Sequence, residues 1–215
     1  MVKKIIMGIS FIHPIIREID NQYYYIKTMI ETYPSFMEGW ISKEEEKNRD
    51  IAKEYADGDA EVFSTTFQNL CSGMDAFYET TNHFYQAVFL ITYSYYDSWL
   101  NKFGKGVGVE KDDVGIKELK EKSDFTIDNV NQEMVNYLYS IVRPFRNLIA
   151  HNNSGTLKEE QKNALMKVCS EYEDIEEYDF CVRINGNKFI IDVLEMEHKI
   201  LLEICDKLGY VSIVK

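Results

Sequence analysis

Between residues 61 and 103 the chain has no proline and repeats large apolar side chains at three- and four-residue steps. Phe63, Phe67, Leu70, Met74, Phe77, Tyr85, Val88, Phe89, Tyr95, Tyr96 and Trp99 fall on this pattern. Alternation by two would line a strand; recurrence by three and four lines a helix, so the run predicts helix with one or two aromatic faces. Gly73 or residues 80–82 can divide it in two. Such a stripe can floor a ligand pocket, but at this spacing it reads first as core. A chain that must bury so long a stripe needs other helices to bury it against.

The rest of the chain supplies them. Residues 3–40 read as helical, with Ile26, Met29, Ile30 and Tyr33 at helical spacing before Pro34, and the charge-rich segment 41–61 as a polar helix leading to a turn at Gly58. The stretch 104–113 (GKGVGVEKDD) follows a helix and lacks the Lys-Ser/Thr ending of a phosphate loop, so it reads as a flexible connector. A short helix near 116–122 precedes a longer one over 129–150, whose apolar face is Val130, Met134, Leu138, Ile141, Phe145 and Leu148 or Ile149. Asn152-Asn153-Ser154-Gly155 stops that helix, and Thr156 with Glu159 forms a capping box for the next, to about Tyr172. Phe180, Val182 and Ile184 alternate up to Asn185-Gly186, with Phe189–Ile191 beyond, which predicts a hairpin. A last helix over 193–208 ends at Gly209. The expected fold is all-α: a helical bundle with one small β-hairpin before the C-terminal helix, residues 1–60 forming a helical extension packed on a domain of residues 61–215.

Composition narrows the class. Three prolines in 215 residues suit long helices, and a net charge of −12 argues against a generic basic nucleic-acid binder while leaving room for a local anion site. Cys71, Cys169, Cys181 and Cys205 form no CxxC pair, so neither a zinc ribbon nor a disulfide scaffold is indicated. The apolar start is interrupted by His13 and Pro14 and followed at once by Arg17, Glu18 and Asp20, unlike a cleavable leader. No run reaches the roughly 20 apolar residues of a membrane span. The expectation is a soluble cytoplasmic protein with no membrane partner.

Two groups of residues invite chemistry. Glu195 and His198 make an E-x-x-H, half of a di-iron pattern, but Glu79 and His83 lie four apart and supply no second half; no metal or cofactor is expected. The stronger group is Arg146-Asn147-Leu148-Ile149-Ala150-His151, at the end of an amphipathic helix. Metal-free RNA cleavage needs a base for the 2′-OH, an acid for the leaving oxygen and a cation on the phosphorane. Histidine can serve as either base or acid near neutrality. Arginine presents a fixed fork to phosphate oxygens, and asparagine can orient either group. On an ideal helix, positions five apart lie about 140° from one another, so Arg146 and His151 converge only if the helix distorts or frays, or if the arginine wraps round.

The run from Pro144 to Gly155, PFRNLIAHNNSG, resembles the HEPN superfamily, whose motif is Arg, a polar residue, three to five residues, then His. The resemblance extends over about residues 60–210, although only the motif itself is specific. It implies a metal-independent endoribonuclease in a toxin–antitoxin or antiviral defence system, with Arg146, Asn147 and His151 as catalytic residues. Since one chain supplies one motif histidine, it also implies a homodimer with the motif at the two-fold interface, and an antitoxin or defence partner. Asn153 stands where some members carry a tyrosine modified by a partner nucleotidyltransferase, which argues against that regulation here. Arg143 and Lys158, in a segment richer in cations than the rest, are expected to contact RNA. The alternative is a non-catalytic helical module that binds a nucleotide or a partner protein.

Overall fold

His13 opens the first helix: its Nδ1 accepts the Ile15 N–H at 3.2 Å, and Pro14 occupies the first helical position, where a missing N–H costs nothing. A computed structural model of the chain describes residues 10–151, 157–178, 181–210 and 213–214. Helix α1 runs unbroken over Pro14–Ala56, straight through Pro34, and so joins what the sequence divides into two stretches. Its first half is amphipathic, with Ile19, Tyr23, Ile26 and Ile30 buried; its second half buries only Ala52 and Ala56. Asp57 in the left-handed region and Gly58, φ 90°, then turn the chain into α2, Ala60–Cys71, where Asp59 caps the N–H groups of Glu61 and Val62.

A single 3₁₀ turn at Ser72–Met74, containing Gly73, separates α2 from α3, Asp75–Gly106. The predicted aromatic run is therefore two helices, divided at Gly73. Its second part is core: Tyr85, Phe89, Tyr95, Tyr96 and Trp99 are buried, whereas Phe63, Phe67 and Phe77 are half-exposed. Helix α4 spans Ile116–Ser123. Helix α5, Asn129–Tyr137, continues through a π turn at Leu138–Val142 into α6, Arg143–His151. Pro144 lies just beyond that turn and has no N–H for the ladder, which is where the wider turn is tolerated.

Helices α3, α6 and α8 (Lys188–Lys207) meet at Phe89, Phe145 and Phe189, each fully buried, with ring centroids 5.2–5.5 Å apart. Removing one such ring costs about 3–5 kcal/mol, so this triad fixes the placement of α6. The buried face of α1 joins the same core as α3 and α8. Two polar ties add direction to that contact. Lys27 pairs with Glu195 at 2.8 Å, and the His198 ring stacks on Tyr23 while its Nε2 lies 3.2 Å from Asp20.

Two details of the C-terminal part differ from expectation. The hairpin is one strand earlier: β2, Ile175–Tyr178, pairs antiparallel with β3, Cys181–Ile184, so that Ile175 faces Ile184 and Tyr178 faces Cys181. Asn185-Gly186 is not its turn, and Phe180 lies outside the described residues. Phe189, Ile190 and Ile191 instead begin α8, whose buried positions Phe189, Ile190, Val193, Leu194, Glu197, Ile200, Leu201 and Ile204 keep the helical period. Helix α7, Glu159–Glu171, is capped at Lys158, whose N–H donates to the Gln161 side chain at 2.9 Å; Thr156 of the expected capping box and the Asn152–Gly155 stop lie outside the described residues. A second small pairing, β1 (Ser10–Phe11) with β4 (Ile213–Val214), joins the two ends of the chain. No helix among the described residues is long and apolar enough to cross a membrane.

Candidate functional site

Phe145 and Leu148 anchor α6 in the core, which turns the intervening polar side chains outward. Arg146 is half-buried, with its guanidinium 5.7 Å from the centre of the Tyr93 ring, and its Nη1 donates to Asn147 Oδ1 at 3.1 Å. Its buried Nε has no hydrogen-bond partner among the described residues. Arg146 and Asn147 are thus brought together by a direct bond. His151 is the last residue of α6 and is exposed. Since α6 is regular α-helix to its end, the separation of about 140° between Arg146 and His151 stands.

A different alignment does emerge. Arg143, Asn147 and His151 are spaced four apart, about 40° per step, and form one polar stripe along α6 with Arg146 on its flank. Asn147 is the link: it holds the Arg146 fork and lies one turn before the imidazole. Lys158, exposed at the start of α7, is not part of this stripe.

Arg143 also borders a cleft of about 260 Å³ between α3, the loop before α4, and the π turn. Tyr93, Tyr96 and Asp97 come from α3, Asp113 and Lys111 from the loop, and Tyr139 and Arg143 from the α5–α6 rod. The loop is built rather than slack. Val114 N–H donates to Asn101 Oδ1 at 2.9 Å, Ile116 N–H to the Tyr139 hydroxyl at 3.1 Å, and Arg143 pairs with Asp113 at 3.5 Å. A Cβ on Gly115 would lie 2.7 Å from the Tyr139 hydroxyl and 2.9 Å from Glu118 Oε2, so a larger residue there displaces the ends of both side chains.

The electrostatics of the cleft centre on Asp97. Burial, and secondarily the nearby Asp113 charge, push its carboxyl up to about 6, although Arg146 and Arg143 pull the other way. Deeper in the core, Glu197 is fully buried, and neither of its carboxyl oxygens has a partner among the described residues. Burial, reinforced by the Asp97 charge, raises its proton affinity well above the usual carboxylate range.

Sequence reasoning missed this cleft. Asp97 carries the only charge between residues 84 and 101, inside a run of apolar and aromatic side chains, and that isolation was its signal. The E-x-x-H pair is accounted for otherwise: Glu195 and His198 tie α8 to α1, and Glu79 pairs with Arg183 at 2.6 Å. Among the described residues no three His, Cys, Asp or Glu side chains come together as metal ligands. Compared with family models, curated proteins and solved structures, the chain finds no match.

Proposed function

We propose that the chain is a metal-independent endoribonuclease of HEPN type, acting in the cytoplasm as part of a toxin–antitoxin or antiviral defence system. The observation that carries this reading is the Arg146–Asn147 hydrogen bond at 3.1 Å, one helical turn before an exposed His151. On one α6 Arg146 and His151 lie about 140° apart, so in-line attack by a 2′-OH draws them from two facing copies of the helix. His151 takes or returns the proton, Arg146 offers its donors to the phosphorane oxygens, and Asn147 holds the guanidinium in place. Proton removal and proton return call for two imidazoles, and a two-fold dimer that juxtaposes two α6 ends supplies them. The products are then 2′,3′-cyclic phosphate and 5′-hydroxyl ends.

The test is incubation of single-stranded RNA with purified protein in EDTA. Cleavage persists in chelator and falls by about 10²–10⁴ in His151→Ala. Loss of cleavage on chelation, or an unchanged rate in that variant, would sink the mechanism. A second reading has its own support in the Tyr93–Asp97–Arg143 cleft, which lies off the His151 end of the stripe: a non-catalytic helical module that binds a nucleotide or a partner protein. It predicts nucleotide binding by a chain that cuts no RNA.

A further inference from the structure

The cleft beside the motif helix holds polar groups that the protein itself leaves unmatched. Tyr96 is 2% exposed, lines the cleft, and its hydroxyl has no hydrogen-bond partner among the described residues. Buried hydroxyls normally find partners, so such a group marks a place where something else binds or where energy is spent. Its sequence neighbour Asp97 lines the same cleft, half-buried, with no hydrogen bond or ion pair to the described residues. Tyr93 and Tyr139 add ring surface to the walls, and Arg143 stands at the rim, shared with the α6 stripe.

Size and chemistry select the occupant. A space of about 260 Å³ is just under the roughly 300–1,000 Å³ of sites that enclose larger ligands, and suits one flat ring system. Tyrosine walls stack on any nucleobase. A carboxylate that accepts and a hydroxyl that donates then distinguish the bases by their edges. Guanine presents two adjacent N–H donors beside a carbonyl oxygen. Both donors can go to Asp97 while Tyr96 donates to the carbonyl. Adenine and cytosine each offer Asp97 one amino group. Uracil offers one N–H flanked by two oxygens that the carboxylate repels.

We propose that this cleft is a guanine-binding subsite, seating the base of a nucleotide adjacent to the phosphate held by Arg146. The assignment of the base to an RNA strand rests on the ribonuclease reading above; the guanine chemistry does not. Arg143, whose contact with Asp113 is a long 3.5 Å, can turn from that carboxylate to the backbone phosphate between the subsite and Arg146.

The experiment is calorimetric titration of the full chain with GMP, AMP, CMP and UMP, followed by titration of the His151→Ala chain, which leaves RNA intact, with UUGUU and UUUUU. GMP is expected to bind at least tenfold more tightly than UMP. Asp97→Asn removes that preference while melting as the parent does, and Tyr96→Phe lowers GMP affinity several-fold. UUGUU then binds at least tenfold more tightly than UUUUU. Equal affinity for the four nucleotides, or an Asp97→Asn chain that still prefers GMP, overturns the subsite. A GMP preference without a UUGUU preference overturns its assignment to RNA and leaves a free-nucleotide site. GMP binding as expected by a wild-type chain that cuts no RNA overturns the ribonuclease reading and leaves the guanine site standing.

Discussion

Glu197 is the residue least at ease in this fold. It stays protonated in the native core, whereas the unfolded chain ionises it above about pH 4.3, so above that pH the unfolded state binds fewer protons. The contribution of Glu197 to stability therefore falls as pH rises above the unfolded value, by on the order of 1 kcal/mol per pH unit while the native carboxyl holds its proton. Glu197→Gln removes this dependence. The stability difference between variant and parent should widen from pH 5 to pH 8 in denaturant titrations, and a flat difference would show that Glu197 has a partner or ionises in place. Asp97 gives the opposite sign for ligand binding. It must be ionised to accept two N–H groups, so GMP affinity is predicted to drop as pH falls through about 6. The charges that face it are Asp113, Arg143 and Arg146, with Lys111, Lys117 and Glu118 on the opposite wall of the cleft and the protonated Glu197 behind it. A GMP affinity unchanged between pH 7.5 and pH 5 would contradict its role.

At the scale of elements, what the sequence reveals depends on how far apart the cooperating residues lie. Arg146, Asn147 and His151 are legible because they share nine residues of one helix. The cleft is not, because it joins Tyr96 and Asp97 to Tyr139 and Arg143 through a glycine-rich stretch that reads as a connector. Its structure comes from contacts outside the stretch, such as Tyr139 meeting the Ile116 N–H. The position of the hairpin is hidden in the sequence for a related reason. Ile175 is a strand residue inside an acidic run, and Phe189 and Ile190 look like strand until their burial joins that of Val193 and Leu194 on one helical face. Gly115 tests the built character of the loop. Gly115→Ala forces Tyr139 and Glu118 to shift, so it should lower thermal stability by about 1–3 kcal/mol and weaken GMP binding together. Loss of neither would mean that the loop yields freely.

For the whole molecule, the question is how a chain of net charge −12 holds RNA. The expected attraction comes from a few cations, Arg143 and Arg146 on α6 and, apart from them, Lys158 at the start of α7. Each phosphate contact on a single strand contributes about 0.7 to the slope of log affinity against log salt, so the total slope should be shallow. Arg143→Ala and Lys158→Ala should each weaken RNA binding modestly, whereas Arg146→Ala should abolish cleavage and spare most binding. Affinity unmoved in both of the first two variants would contradict that source of attraction. Attack by the substrate's own 2′-OH under the control of Arg146, Asn147 and His151 can be read from a pair of substrates. One is an RNA oligonucleotide; the other has the same sequence with a single 2′-deoxy sugar at the cleavage position, both incubated in EDTA with end groups identified by mass spectrometry. The first is expected to be cut to 2′,3′-cyclic phosphate and 5′-hydroxyl ends and the second to stay intact at that position; cleavage of both, or products ending in 5′-phosphate, would rule out 2′-OH attack.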